Sequence, residues 1–230
     1  MTHGIEILKK FTFGRCVVKV ANVEALGAPG ALDDALCRLS HDRCEKTLKY
    51  RFEKGKWLSA GAGLLLDNLL QEHGLRERDM EYTQGEHGKP AFVSHPELYF
   101  NISHSGTLVA CALGDQPVGV DVQTLVNPSP SLVSYTMSKE EIAQLEDLND
   151  EEKKMLFTQL WTLKECYLKA TGQGLSHEFP SFKVGDDGSI AALSALTPPA
   201  FFKTIKLPNA IVSTAIIDPT APNINDTSNK

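Results

Sequence analysis

One long helical pattern constrains this chain more than any other feature. From about residue 151 to Gly172, Leu156, Leu160, Leu163 and Tyr167 recur at steps of four, three and four, which is one buried face of a helix. Thr158, Thr162, Glu165 and Lys169 fall on the opposite face. Taken alone, Glu165 one turn before Lys169 reads as an exposed ion pair. A second role depends on what the rest of the chain brings to it.

At 230 residues and 42% hydrophobic content, the chain can bury the core of one large domain or of two small lobes. Its net charge of -6 argues against a nucleic-acid binder driven by bulk electrostatics, so an anionic ligand has to be met by a local cluster of cations. Cys16, Cys37, Cys44, Cys111 and Cys166 form no C-x-x-C pair and no zinc-spaced set, and reduced, mostly buried thiols are the expectation. Residues 1–15 lack the apolar core of a signal peptide, and the longest apolar run, near 64–70, is too short to span a bilayer. A cytoplasmic location without a membrane partner is expected.

Residues 15–21 read as a strand on the weight of Val17, Val18 and Val20, and the segment 27–30 breaks it. Ser40 offers an N-cap for a basic helix over 41–51, where Arg43, Lys46 and Lys49 cluster at steps of three. A solvated face and an anion-binding face are both open there. A core helix follows over 54–73, ending at Gly74, with Trp57 packed inside it. From residue 81 the period shortens to strand-like runs. The segment 86–90 is a turn that leaves Lys89 on a constrained loop. Strands over 98–102 and 107–113 are joined by Ser103-His104-Ser105-Gly106, a polar joint whose hydroxyls and backbone N–H groups suit an anion and equally suit a plain hairpin turn.

In the strand over 117–123, Val118, Val120 and Val122 alternate with Gly119, Asp121 and Gln123, so Asp121 and Gln123 share one side. Ser138 and Glu141 have capping-box spacing, which makes Glu141 a helix cap before it is a site carboxylate. Strands are expected over 181–184, 190–193, 201–206 and 210–217, then a polar tail. No P-loop, G-x-G-x-x-G or G-x-S-x-G motif is present. What remains is oxygens and cations: Asp121 and Glu165 to hold Mg²⁺, and Arg43, Lys46, Lys89, His104 and Lys169 to receive phosphates, a set that fits phosphoryl-type transfer.

Gly88-Lys89-Pro90, Asn101-Ile102-Ser103-His104-Ser105, Val118-Gly119-Val120-Asp121 and Trp161-Thr162-Leu163-Lys164-Glu165 through Lys169 stand in this order, with Asp121 and Glu165 44 positions apart. The pattern resembles the 4′-phosphopantetheinyl transferases of the surfactin-synthetase-activating type. That resemblance implies an α+β monomer of two similar lobes about a pseudo-twofold axis, here 1–116 and 117–217, with 218–230 as a flexible tail. It also implies coenzyme A and Mg²⁺ in the cleft, and transfer of phosphopantetheine to a serine of an apo acyl or peptidyl carrier protein. Arg43 and Lys46, helped by Ser59, would meet the 3′-phosphate of coenzyme A, with Lys89 and Pro90 beside the adenine nucleotide. Ser103 and His104 would contact its phosphates, Lys169 the pyrophosphate, and Asp121 and Glu165 the metal, with Glu165 as base. Gln123 stands where many relatives carry glutamate, so it can offer a carbonyl oxygen to the metal and cannot take a proton. Cys166 reads as a packed thiol. Two other readings stay open: a coenzyme A-binding protein that has lost catalysis through Gln123, and a different Mg²⁺-dependent phosphoryl or pyrophosphate enzyme.

Overall fold

Two runs of alternating valine meet at the centre of the molecule: Val18 and Val20 share one fully buried cluster with Val118, Val120 and Val122. The computed structural model describes residues 4–85, 88–174 and 179–218. The predicted tail beyond Asp218, and Glu86 and His87 of the turn, lie outside these residues. The chain opens with strands β1 (Glu6–Phe13) and β2 (Cys16–Asn22), then helices α1 (Ala31–Leu36), α2 (His41–Leu48) and α3 (Glu53–Leu70). A ribbon of β3 (Tyr82–Gln84) and β4 (Pro90–Phe92) leads into β5 (Tyr99–Ser105), β6 (Leu108–Gly114) and β7 (Val118–Thr124). Helices α4 (Pro130–Thr136), α5 (Lys139–Glu146) and α6 (Asp150–Thr171) follow, then β8 (Phe182–Val184), β9 (Ile190–Ala192), β10 (Ala200–Leu207) and β11 (Ala210–Ile217).

The result is an α+β fold. One antiparallel sheet has the order β1-β2-β6-β5 and another β10-β11-β7. Strand alternation gives each sheet two apolar faces. Val18, Val20, Ala110 and Ala112 face the second sheet, while Ala21, Val109, Cys111 and Leu113 pack with the leucines of α3. On the far side of the second sheet, Ala215 packs with Cys166, Tyr167 and Ala170 of α6. The layers therefore run α3, sheet, sheet, α6. Among the described residues no helix is long and apolar enough to cross a membrane.

Along one edge β5 runs beside β7 without a main-chain ladder. Asn101 Oδ1 accepts from Val120 N (2.9 Å), Ser105 Oγ accepts from Thr124 N (3.0 Å), and Ser103 Oγ donates to Asp121 Oδ1 (2.6 Å). Side chains from every second residue of β5 thus supply the rungs.

The local signals act where they were read. Ser40 caps α2, accepting from Arg43 N, and Ser138 with Glu141 forms the capping box of α5. Gly172, at φ 74°, ends α6 in the left-handed conformation. Two expectations need correction. The face of α6 with Thr158, Thr162 and Glu165 is not exposed: Thr158 and Thr162 are fully buried and Thr162 Oγ1 meets Ser213 Oγ of β11 at 2.7 Å. The helix is covered on both sides, by leucine packing toward α5 and β8 and by hydroxyls on the sheet. The joint at 103–106 is also not a loop, because β5 continues through Ser105 and turns only at Gly106, φ 63°.

Candidate active site

The site begins with a missing side chain. The odd residues of β7 face α6, and a Cβ on Gly119 would stand 1.9 Å from Cys166 O and 2.4 Å from Ala170 N. Only glycine lets the helix lie this close. The contact brings Lys169 Nζ to 2.6 Å from Asp121 Oδ1 and 3.1 Å from Ser103 Oγ, with Glu165 Oε2 4.0 Å from the same ammonium.

Each of the two carboxylates keeps one buried oxygen without a hydrogen-bond partner: Asp121 Oδ2 and Glu165 Oε1. A shielded, unpaired carboxylate oxygen is costly unless a cation or proton meets it. Burial raises the Glu165 pKa above the ordinary glutamate range; Lys169 opposes the rise and Asp121 adds to it. Among the described residues no group of three His, Cys, Asp or Glu comes together, so this is a two-carboxylate site. Gln123, half-buried on the same side of β7, donates from Nε2 to Thr124 O (3.3 Å). Two hard oxygens suit a cation that keeps several waters.

A cleft of about 550 Å³ runs from α2 to β5. Arg43, Lys46 and Lys49 line one wall together with Asp42 and Glu45, and Ser59, Pro90 and His104 stand elsewhere in the lining. Arg43 is held by the buried Glu77, Nε to Oε1 at 3.4 Å. Lys46 has no ion-pair partner among the described residues, and burial, then the nearby Arg43, lowers its pKa. Burial and the Lys169 cation lower that of His104. Ser59 Oγ bonds Thr47 Oγ1 at 2.7 Å. Tyr82 and Ile102 add apolar surface. A hollow of about 250 Å³ adjoins the cleft, bounded by Glu165, Leu168, Lys169 and Gly172, and Pro90 and Asn101 line both. The cations of α2 and Glu165 thus line adjoining hollows.

Lys89 lines the same hollow as Glu165 and is held by main-chain oxygens. Its Nζ donates to Val118 O (3.1 Å) and Ala170 O (2.8 Å), tying the 88–90 loop to β7 and to the end of α6. Burial pushes its pKa down to about 8. Ser103 likewise serves Asp121 directly. Cys166 is fully buried with its pKa raised by burial, the packed thiol that was expected. Glu141 is a cap and more: it also accepts from Lys164 Nζ at 2.7 Å and from Phe182 N at 2.9 Å. Glu77 and Tyr82 stand outside the sequence motifs, and Asn101 stands in one without a role. Strand alternation marks Asn101 as sharing a side with Ser103, whereas Glu77, in a short turn, carries no such signal.

A model of the 4′-phosphopantetheinyl transferase superfamily matches residues 117–213, the stretch that holds Asp121, Glu165 and Lys169. The chain is 31% identical over 173 residues to 4′-phosphopantetheinyl transferase Sfp of Bacillus subtilis, covering 74% of this chain and 77% of that one. It is 30% identical over 179 residues to the transferase ffp of the same species, at 76% and 80% coverage. With HetI, the 4′-phosphopantetheinyl transferase of a Nostoc species, the identity is 32% over 152 residues, at 63% and 64%. A likeness this strong and this long, carried through the β7 and α6 motifs that build the site, makes the chain a member of the 4′-phosphopantetheinyl transferase superfamily.

Proposed function

We propose that this protein moves the 4′-phosphopantetheine group of coenzyme A onto a serine of an apo acyl or peptidyl carrier protein and releases adenosine 3′,5′-bisphosphate. The observation that carries this reading is the pair of buried, unpartnered oxygens on Asp121 and Glu165, with Glu165 lining a hollow that shares Pro90 and Asn101 with the cleft of Arg43 and Lys46. Residues 4–116 and 117–217 form the two lobes, and the β5–β7 edge is their junction.

Arg43 and Lys46, with Ser59, take the 3′-phosphate, and His104 stands at the adjoining phosphates. The nucleotide lies along Pro90 and Ile102. Lys169 reaches the pyrophosphate, oriented by Asp121 and Ser103. The carrier serine oxygen attacks the phosphorus next to the pantetheine arm, a P–O bond forms, the P–O bond to the nucleotide breaks, and the serine proton passes to Glu165. A raised pKa suits Glu165 to that acceptance near neutral pH. Asp121 and Glu165, with Gln123 or a water, would hold Mg²⁺, which supplies charge neutralisation at the pyrophosphate.

Carrier protein approaches over α4, where Tyr135, 77% exposed, stands edge-on to Phe179, itself packed on Trp161 one turn before Glu165. Five free cysteines and no disulfide among the described residues support a cytoplasmic setting. The protein acts as a monomer, with no nucleic-acid or membrane partner.

Incubation with coenzyme A, Mg²⁺ and a panel of apo carrier proteins should add one phosphopantetheine to at least one of them by mass spectrometry. No adduct on any carrier would sink the proposal. Gln123 favours a second reading, coenzyme A binding without turnover, which tight calorimetric binding with no adduct would support.

A further inference from the structure

We propose that Glu77 is a positioning residue that aims the Arg43 guanidinium into the cleft and so sets the preference for a ligand bearing a separate phosphate monoester. The proposal rests on the reading of Arg43 and Lys46 as the 3′-phosphate site.

Glu77 is 0% exposed, yet it lies in a three-residue turn beside the cleft wall. Its carboxylate is fully engaged. Oε2 accepts from Ser40 N (2.7 Å), and Oε1 accepts from Ser40 Oγ (3.0 Å), Tyr82 Oη (2.8 Å) and Arg43 Nε (3.4 Å). Its own N–H donates to Asp67 Oδ1 at 3.0 Å. Asp67 is fully buried and fixed by Arg76 Nε (3.0 Å) and Gln71 Nε2 (2.6 Å). The carboxylate therefore cannot swing to follow Arg43, and Arg43 has to conform to it.

Arg43 is enclosed on its other sides. Its Cζ lies 5.9 Å from the Tyr82 ring centroid, and a Cβ on Gly63 would stand 3.1 Å from its Cγ. Its side chain is 10% exposed and lines the cleft. Its Nε donates to Glu77 and the guanidinium also meets the Tyr82 hydroxyl, so two fixed groups set its orientation where it lines the cleft. A guanidinium has five N–H donors in a fixed fork, so one whose orientation is set by Glu77 and Tyr82 keeps donors for a phosphate. Since the Glu77–Arg43 pair is neutral, what Glu77 contributes is direction and not charge.

That distinction gives the test its sign. Glu77→Gln adds one positive charge to the wall, so bulk electrostatics predicts tighter coenzyme A binding, whereas loss of aim predicts weaker binding. Titration calorimetry with coenzyme A and with 3′-dephospho-coenzyme A, on wild type, Glu77→Gln and Tyr82→Phe, separates the two. Glu77→Gln is expected to weaken coenzyme A about tenfold, the loss of one charged hydrogen bond. The affinity for the dephosphorylated ligand should move far less, and kcat less than KM. Tyr82→Phe, which removes the hydroxyl that holds both Glu77 and the guanidinium and keeps the ring, should shift the preference the same way by about threefold. If Glu77→Gln does not fold, Tyr82→Phe decides alone. Unchanged preference in the folded variants, or tighter coenzyme A binding, overturns the proposal and leaves the phosphate site standing. A wild-type protein indifferent to the 3′-phosphate overturns both.

Discussion

Lys169 Nζ stands 2.6 Å from Asp121 Oδ1 but 4.0 Å from Glu165 Oε2, although Glu165 is its neighbour one turn back on the same helix. The ammonium commits to the strand carboxylate. Glu165 is left buried, with a raised pKa and one oxygen unmet, which fits the proton-accepting role proposed for it. Glu165→Gln should lower single-turnover transfer by about 10² to 10⁴, while Cys166→Ala, a buried thiol whose Sγ faces Leu163 O, should stay within a few-fold of wild type, about the scale of a small core change. Near-normal turnover by Glu165→Gln would remove it as the base.

Gly119→Ala places a methyl group against the α6 backbone at Cys166 and Ala170. Backbone cannot rotate out of the way, so the helix must retreat. A stability loss of about 1–3 kcal/mol or more is expected from chemical denaturation, with transfer activity falling further than that loss explains, because Lys169 moves away from Asp121. A variant as stable and active as wild type would show that α6 need not sit so close.

Gln123→Glu restores a third anionic oxygen beside Asp121. Hard divalent cations bind more tightly as carboxylates accumulate. The Mg²⁺ concentration for half-maximal activity should drop by about tenfold, one charge-assisted contact. An unchanged Mg²⁺ requirement would place position 123 outside the metal's reach.

Lys89 carries the pH signature. Burial lowers its pKa from 10.5 to about 8, so between these values the unfolded chain keeps a proton that the folded chain has released. Stability from this group therefore rises with pH through that window and is lowest where both states are protonated. Urea unfolding of wild type and Lys89→Met should show a stability difference that moves in favour of wild type as pH is raised. A difference flat with pH would contradict the burial assigned to this ammonium.

Tyr135→Ser removes the exposed end of the Tyr135–Phe179–Trp161 aromatic row. Loss of an interface aromatic should raise KM for the carrier protein about tenfold, with KM for coenzyme A unchanged. If carrier affinity does not shift, docking lies elsewhere on the surface.

Much of this was legible from local chemistry. Ser40, the Ser138–Glu141 pair and Gly172 mark helix ends because capping is a matter of a few neighbouring atoms. The valine alternation of β7 put Asp121 and Gln123 on one side for the same reason. The double burial of α6 was not legible, since Thr158 and Thr162 look like surface residues until hydroxyl partners such as Ser213 appear from 51 positions away. α4 is not among the elements read from the sequence: Pro130, which would break a helix in its interior, occupies its first position, where no N–H is needed. β1 was missed because its side chains are mostly exposed and carry no alternation. Lys89 sits in its motif, but nothing nearby in the chain announces Val118 O and Ala170 O as its acceptors.

The join between β5 and β7 has a further consequence. A main-chain ladder is almost blind to residue type, but here the rungs are Asn101, Ser103 and Ser105 themselves. The angle at which β5 meets the strand that carries Asp121 is therefore written in three replaceable side chains. Point mutation can act on that angle as on a set-screw, and one of the three, Ser103, turns the acidic centre directly.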